Sequence, residues 1–449
     1  MKHLVFVFLL LFVGVSSAQN YPAKAKADSL FDLLQKHHKA MGSVCIMKKG
    51  NVLYSRSIGW SESMAHVRNN DSTAFRIGSI SKVFTSVMIH QLIEEGKLNR
   101  SSKLSEFFPE LTAYKDITIS QLLDHSSGIH NFTNDDEYLS YSTRNHTHDE
   151  MLAIIGKPAL DFKPGKKHEY SNSNYVLLGY IIEQLTGSVY AEEVQKRIVQ
   201  QLALRHTYAG QALGTKSNEA RSYEWTGNEW KTATETDMSI PHGAGMMVAS
   251  ASDLCRFMEG LMCGKLIQPK SLDVMQELHD GYGSGLFRFP FGSRFAYGHT
   301  GGIDGFQSML AYFPDDSITV AGTFNALDMP MNDIILAVLS IHYNKAYTLP
   351  DFKESNVVFR ADELMLYPGT YASKGFPLKI SIREEGGKFY AQATGQGEFP
   401  LTAISATEFR FEQAGIQLIF QAADAAKDVH HFTLKQAGQT YEFDKMVKE

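Results

Sequence analysis

The sequence predicts an α/β chain in two parts. The first is a mixed domain in which an antiparallel sheet is flanked by helices and encloses an all-helical insertion; the second is a small antiparallel β-barrel or sandwich. Three observations carry this reading. A helical stretch, Ala23 to Ala40 with Leu30, Leu33 and Leu34 apolar, leads into a two-strand pattern, Ser43 to Met47 and Asn51 to Ile58, around Lys48-Lys49-Gly50. The next clear strand signals come late, at Met309 to Phe313 and Ile318 to Phe324, so the opening hairpin is expected to pair with strands from the far end of the domain. Beyond a polar stretch that opens at Leu349-Pro350-Asp351, the pattern changes to period two: Leu378, Ile380 and Ile382 alternate with Lys379, Ser381 and Arg383.

Taken in order, Met1 to Ala18 reads as a secretory signal, with Lys2 at its start, an apolar run from Leu4 to Val15, and Ser16-Ser17-Ala18 for cleavage. Twelve apolar residues fall short of the roughly 20 that a spanning helix needs. The expectation is therefore an exported protein, periplasmic or secreted, with no membrane span. The α/β domain is expected over 19–345, a linker over 346–362 and the β domain over 363–449. In the last, Glu385-Gly386-Gly387 turns one strand into Lys388 to Thr394, and Phe409, Phe411, Leu418, Phe420, Phe432, Leu434, Tyr441 and Phe443 continue the half-buried theme.

Composition narrows the function. Of 449 residues, 43% are hydrophobic, enough for a large core. Lys+Arg 43 against Asp+Glu 49, with no basic stripe, argues against nucleic acid as a partner. Three cysteines, Cys45, Cys255 and Cys263, are too few for a disulfide framework or a metal cage and read as small hydrophobes. His146 and His148 lack a third ligand at a suitable spacing and read as part of a solvated loop.

Three short motifs each occur once. Ser79-Ile80-Ser81-Lys82 precedes an apolar helix that runs to Gly96, which places a hydroxyl and an amine on one helical face, about 5–6 Å apart at Cβ. Desolvation on such a helix lowers a lysine pKa, and the helix N-terminus favours a developing alkoxide. Tyr170-Ser171-Asn172 opens a second helix, Asn174 to Thr186, stopped by Gly187. A phenol whose pKa is lowered by a neighbouring ammonium could take the Ser79 proton, and the Asn172 amide could orient a substrate carbonyl. His299-Thr300-Gly301-Gly302 leads into a strand whose glycines allow close approach to its edge.

In this order, Ser79-x-x-Lys82, Tyr170-x-Asn172 and His299-Thr300-Gly301 resemble the three signature elements of serine β-lactamases and penicillin-binding proteins. Phe75-Arg76-Ile77-Gly78 and the run from Ile117 to Gly128 extend the likeness, over about residues 24–345, to the class C branch with its DD-peptidases, D-aminopeptidases and esterases. Tyr367-Pro368-Gly369-Thr370-Tyr371 is similar to the lipocalin-like barrels appended to some members. The resemblance implies a β-lactamase/transpeptidase-like fold and a serine hydrolase that needs no metal or cofactor. It implies Ser79 as acylated nucleophile, Lys82 and Tyr170 as proton-transfer pair, and Asn172, His299, Thr300 and Gly301 as substrate-binding residues. The backbone N–H groups of Ser79 and Gly302 would form the oxyanion hole. His299 stands where most class C β-lactamases have lysine, and a histidine is largely neutral at pH 7. Peptidase, amidase or esterase action on a small peptide or ester therefore ranks above hydrolysis of a β-lactam. A class C-like β-lactamase and a penicillin-binding sensor or scaffold without turnover remain the alternatives.

Overall fold

A computed structural model describes residues 21–213, 218–227, 229–350, 352, 357, 359–394, 398–411, 415–421, 429–436 and 439–446. The signal-like segment Met1 to Ala18 lies outside them. Helix α1, Lys24–Lys36, buries Leu30, Phe31 and Leu34. It ends earlier than its apolar spacing suggests, because the chain turns at His38, with φ 55°, straight into β1, Ala40–Lys48. Strand β2, Asn51–Ile58, completes the hairpin.

Helices α2, Ser81–Glu94, α3, His148–Gly156, α4, Asn172–Thr186, and α5, Ala251–Met262, belong to the long insertion. The chain then returns as β3, Phe287–Phe291, β4, Arg294–Ile303, β5, Phe306–Phe313, and β6, Ile318–Leu327, before α6, Met331–His342. The sheet order is β3-β4-β5-β6-β1-β2, every pair antiparallel, so β6 closes on the first hairpin through Ala40↔Leu327 to Lys48↔Ile318. Strand β3 was not legible in the sequence; it is an edge strand carrying Pro290, a position that needs no ladder donor on its outer side.

Strand β1 is central and covered on both faces, which is why its residues show no polar alternation. Val44 and Ile46 pack toward α1 and α6, whereas Cys45 and Met47 pack toward the helical insertion. Both Cys45 and Cys255 are buried free thiols and Cys263 is an exposed one. The second part is a closed barrel of eight antiparallel strands between Gly369 and Lys445, sealed by the pair Tyr371↔Lys445. Its interior is a layer of aromatic rings, among them Tyr367, Phe389, Phe409, Phe420 and Phe432. No helix among the described residues is long and apolar enough to cross a membrane.

Candidate active site

Ser79 lies in a single 3₁₀ turn, Gly78–Ile80, that feeds α2. The turn requires glycine at 78: φ is 49°, and a Cβ there would stand 2.7 Å from the Gly302 nitrogen. Strand β4 is thus pressed against the serine turn. A Cβ at Gly301 would meet the Ile77 carbonyl oxygen at 2.0 Å, and Ser308 Oγ on β5 donates to that same oxygen at 2.9 Å. Pairing of β3 with β4 stops at Phe287↔Gly298, whereas β4 pairs with β5 as far as Ile303↔Phe306. His299 to Ile303 therefore keep one edge free of strand partners, on the side of the serine.

Helix α2 is buried on nearly every side, and Lys82 with it is fully buried. Its Nζ stands 2.9 Å from Ser79 Oγ, 2.7 Å from Asn172 Oδ1 and 2.8 Å from the Ala244 carbonyl. Burial pushes the Lys82 pKa well below the usual lysine value, since the ammonium form loses hydration. A neutral amine has two N–H donors and one lone pair. With the two carbonyl oxygens taking the donors, the lone pair is left for the Ser79 proton.

Tyr170 Oη donates to Ser79 Oγ at 2.7 Å. The expected lowering of its pKa does not occur. Burial raises the phenol instead, and the neighbouring amine is itself driven toward neutrality, so no resting ammonium offsets the loss of solvent. Tyr170 is held from both sides by one residue: the His125 carbonyl accepts from Glu169 N at 2.9 Å and His125 Nδ1 accepts from Ser171 N at 3.1 Å. The His125 ring packs 4.6 Å from the Tyr170 ring, centroid to centroid, and is buried, as its place in the Ile117 to Gly128 stretch shared with the resembled family implies.

Asn172 caps the site from the first turn of α4, which begins two residues earlier than the sequence indicates. Its Nδ2 donates to Thr133 Oγ1 at 3.0 Å and its backbone N–H to Asn131 Oδ1 at 2.9 Å. His299 is buried, with its ring 4.6 Å from that of Phe287, and its Nδ1–H donates to the Thr300 carbonyl. Burial and the nearby Lys82 push its pKa down to about 3, so the imidazole is neutral at pH 7.

Ser79, Asn172, Thr300, Gly301 and Gly302 line one cavity of about 920 Å³. Ala244 O, Asn131 and Thr133 have no signal of their own in the sequence, because a backbone carbonyl or a distant amide becomes a partner only once the chain has folded. The same holds for the ion-pair cluster in the cavity wall. Buried Arg76 donates to Asp304 Oδ2 at 2.9 Å and lies 3.7 Å from Glu235 and 4.0 Å from Glu219. Arg221 pairs with Glu62 and Glu235.

A hydroxyl, a buried amine and a phenol converging beneath the free edge of an antiparallel strand define the β-lactamase-like class of protein. The family model described as Beta-lactamase matches residues 27–342, and the chain belongs to that family. It is similar to a Staphylococcus aureus protein described as teichoic acid D-alanine hydrolase, 27% identical over 285 residues that make up 62% of this chain and 69% of that one. Among solved structures, the octameric penicillin-binding protein homologue from Pyrococcus abyssi aligns over 94% of this chain and 99% of its own, with TM-score 0.65 and 23% identity, so the two share a fold. A D-stereospecific amidohydrolase from Streptomyces sp. aligns over 73% of this chain and 100% of its own, with TM-score 0.62 and 25% identity.

Proposed function

We propose that this chain is an exported serine hydrolase that cleaves amide or ester bonds of small D-aminoacyl compounds through an acyl-enzyme on Ser79. The observation that carries the proposal is that Ser79 Oγ lies within hydrogen-bonding distance of both Lys82 Nζ and Tyr170 Oη at the wall of a large cavity. In the acylation step Lys82, neutral through burial, takes the Ser79 proton as Oγ bonds to the acyl carbon. The bond to the leaving nitrogen or oxygen then breaks, and the proton passes to that atom through the Lys82–Tyr170 pair. Water attacks the resulting ester, releases the acid and restores the Ser79 hydroxyl. The N–H groups of Ser79 and Gly302 stabilise the oxyanion, an interaction of a kind whose loss typically costs about 2.7–4 kcal/mol.

Charge in the cavity supports the substrate class. Glu224, Glu235 and Asp304 line it, and no lysine or arginine does among the described residues. Around it, Glu62, Glu219, Glu235 and Asp304 outnumber the guanidiniums of Arg76 and Arg221. With His299 neutral as well, the cavity favours a substrate ammonium over the carboxylate that β-lactams and DD-peptides present. The S. aureus relative is described as a D-alanine hydrolase and the Streptomyces one as a D-stereospecific amidohydrolase, which supports a D-configured substrate.

The test is a panel of D-alanine amide and ester, their N-acetyl forms and a chromogenic cephalosporin. The free-amine substrates should give the highest kcat/KM, Ser79→Ala should abolish turnover, and Lys82→Ala and Tyr170→Phe should each lose at least about 10²-fold. Turnover retained by Ser79→Ala overturns the mechanism. Preferential turnover of the cephalosporin makes the protein a β-lactamase, and a persistent penicillin adduct without turnover makes it a sensor.

A further inference from the structure

Outside the cavity that Ser79 lines, three residues from separate segments meet. His148 is the first residue of α3, Glu183 lies three turns along α4 from Asn172, and His242 opens the short helical turn His242–Gly245. His148 Nε2 is 3.3 Å from Glu183 Oε2, and His242 Nε2 is 3.5 Å from Glu183 Oε1. One ligating atom from each residue can be chosen so that all lie within 4.8 Å of one another. The spacing around His146 and His148 suggests a solvated loop with no third ligand, but His148 opens a helix and finds its partners 35 and 94 positions away. His146, the other histidine of that segment, turns aside, with Nδ1 against the Arg144 carbonyl at 2.9 Å.

Ion pairing alone leaves this cluster poorly satisfied. Charge-assisted N–H···O bonds run about 2.7–2.9 Å, shorter than either contact here. Glu183 Oε2, His242 Nδ1 and the hydroxyl of Tyr180 are all buried without a hydrogen-bond partner. The Tyr180 ring stacks on His148 at 3.9 Å and meets His242 edge-on at 4.7 Å, fixing both imidazoles. His242 also holds φ at 34°, a backbone conformation that costs a non-glycine residue on the order of 1 kcal/mol or more.

We propose that His148, Glu183 and His242 form a binding site for one divalent cation of the zinc class. Two imidazoles and a carboxylate are borderline-soft N and O donors, which suit zinc better than calcium or magnesium. A tetrahedral ion with ligands at about 2.1 Å holds neighbouring ligand atoms about 3.4 Å apart; the two histidine–glutamate contacts have that length but end on different carboxylate oxygens, so rotation of the Glu183 carboxylate presents one oxygen to an ion between the imidazoles. The fourth position faces solvent: the His148 side chain is 52% exposed, and His148 and Glu183 line a surface depression of about 570 Å³ with Asp149 and Ser188. Because Ala244 follows His242 by two residues and accepts from Lys82 Nζ, the ion braces the His242–Gly245 turn that holds the lysine. Binding of the ion does not require the proposed hydrolysis.

Chelator-treated full-length protein titrated with Zn²⁺ in a calorimeter should bind one ion per chain and melt at a higher temperature with it. Co²⁺ in its place should give the visible absorption of a four- or five-coordinate ion. His148→Ala, at a half-exposed side chain, and Glu183→Gln should each weaken binding at least about tenfold with far-UV circular dichroism unchanged. Absence of saturable binding at millimolar zinc overturns the proposal, and so does wild-type affinity in both variants, which would place the ion elsewhere.

Discussion

Asn172 Oδ1 stands 2.7 Å from Lys82 Nζ, so the first turn of one helix grips the amine of another directly behind the Ser79 hydroxyl. The sequence suggested Asn172 as a hand for the substrate carbonyl. That role belongs to Nδ2, which donates one hydrogen to Thr133 Oγ1; Oδ1 faces the lysine instead, where a neutral acceptor takes an N–H without stabilising the ammonium as a carboxylate would.

Asn172→Asp turns that relationship into a measurement. A carboxylate at the same distance favours the charged lysine and raises its pKa, typically by about 1–3 units. In the proposed mechanism the neutral amine is the base, so activity appears as pH rises through the Lys82 pKa, and the acid limb of kcat/KM should move to higher pH by that amount. Activity lost at pH 7 should return in alkali. Asn172→Ala should lower the rate without the same displacement, and an unmoved limb in Asn172→Asp would remove Lys82 from the role of base.

Gly301→Ala tests the contact between strand and serine turn. The added methyl would lie 2.0 Å from the Ile77 carbonyl, a backbone atom that cannot rotate away. The strand must shift, at a cost of about 1–3 kcal/mol by analogy with overpacked cores. Because the proposed oxyanion site depends on the same approach of β4 to Ser79, kcat should fall more than KM rises. A variant with normal kcat and normal melting temperature would show that the approach carries no catalytic weight.

His90 reports on acid stability away from the reaction. It is buried, its Nε2 3.1 Å from Ser284 Oγ, and burial pushes its pKa down to about 4. The folded value is below the unfolded one of about 6.5, so the unfolded chain takes the proton first. Stability falls as pH drops from about 6.5 to 4, by up to about 3 kcal/mol from this residue. His90→Asn should flatten the dependence of unfolding free energy on pH across that window by at most about 1.4 kcal/mol per pH unit, a difference readable by urea titration at several pH values. His125 and His299, also buried with lowered pKa values, leave a residual slope in the variant.

What could be read from the chain depended on how local its cause was. The apolar spacing after Ser79, the period-two pattern near Ile380 and the glycine at 187 act within a few residues, and the helices and barrel strands they announce are present. The Phe287–Phe291 strand gave little signal because an edge position tolerates proline and half-exposed residues. The end of α1 was misplaced because His38 takes up a left-handed turn that no glycine marks.

The sequence by itself determined that a serine, a lysine, a tyrosine and a glycine-bearing strand were available, since each belongs to a motif that occurs once and whose neighbours dictate its helix, loop or strand. Tertiary structure alone decided the protonation of these groups. Whether Lys82 is neutral, Tyr170 is resistant to ionisation and His299 is uncharged depends on how much water and which dipoles surround each side chain, and those are contributed by segments far away along the chain.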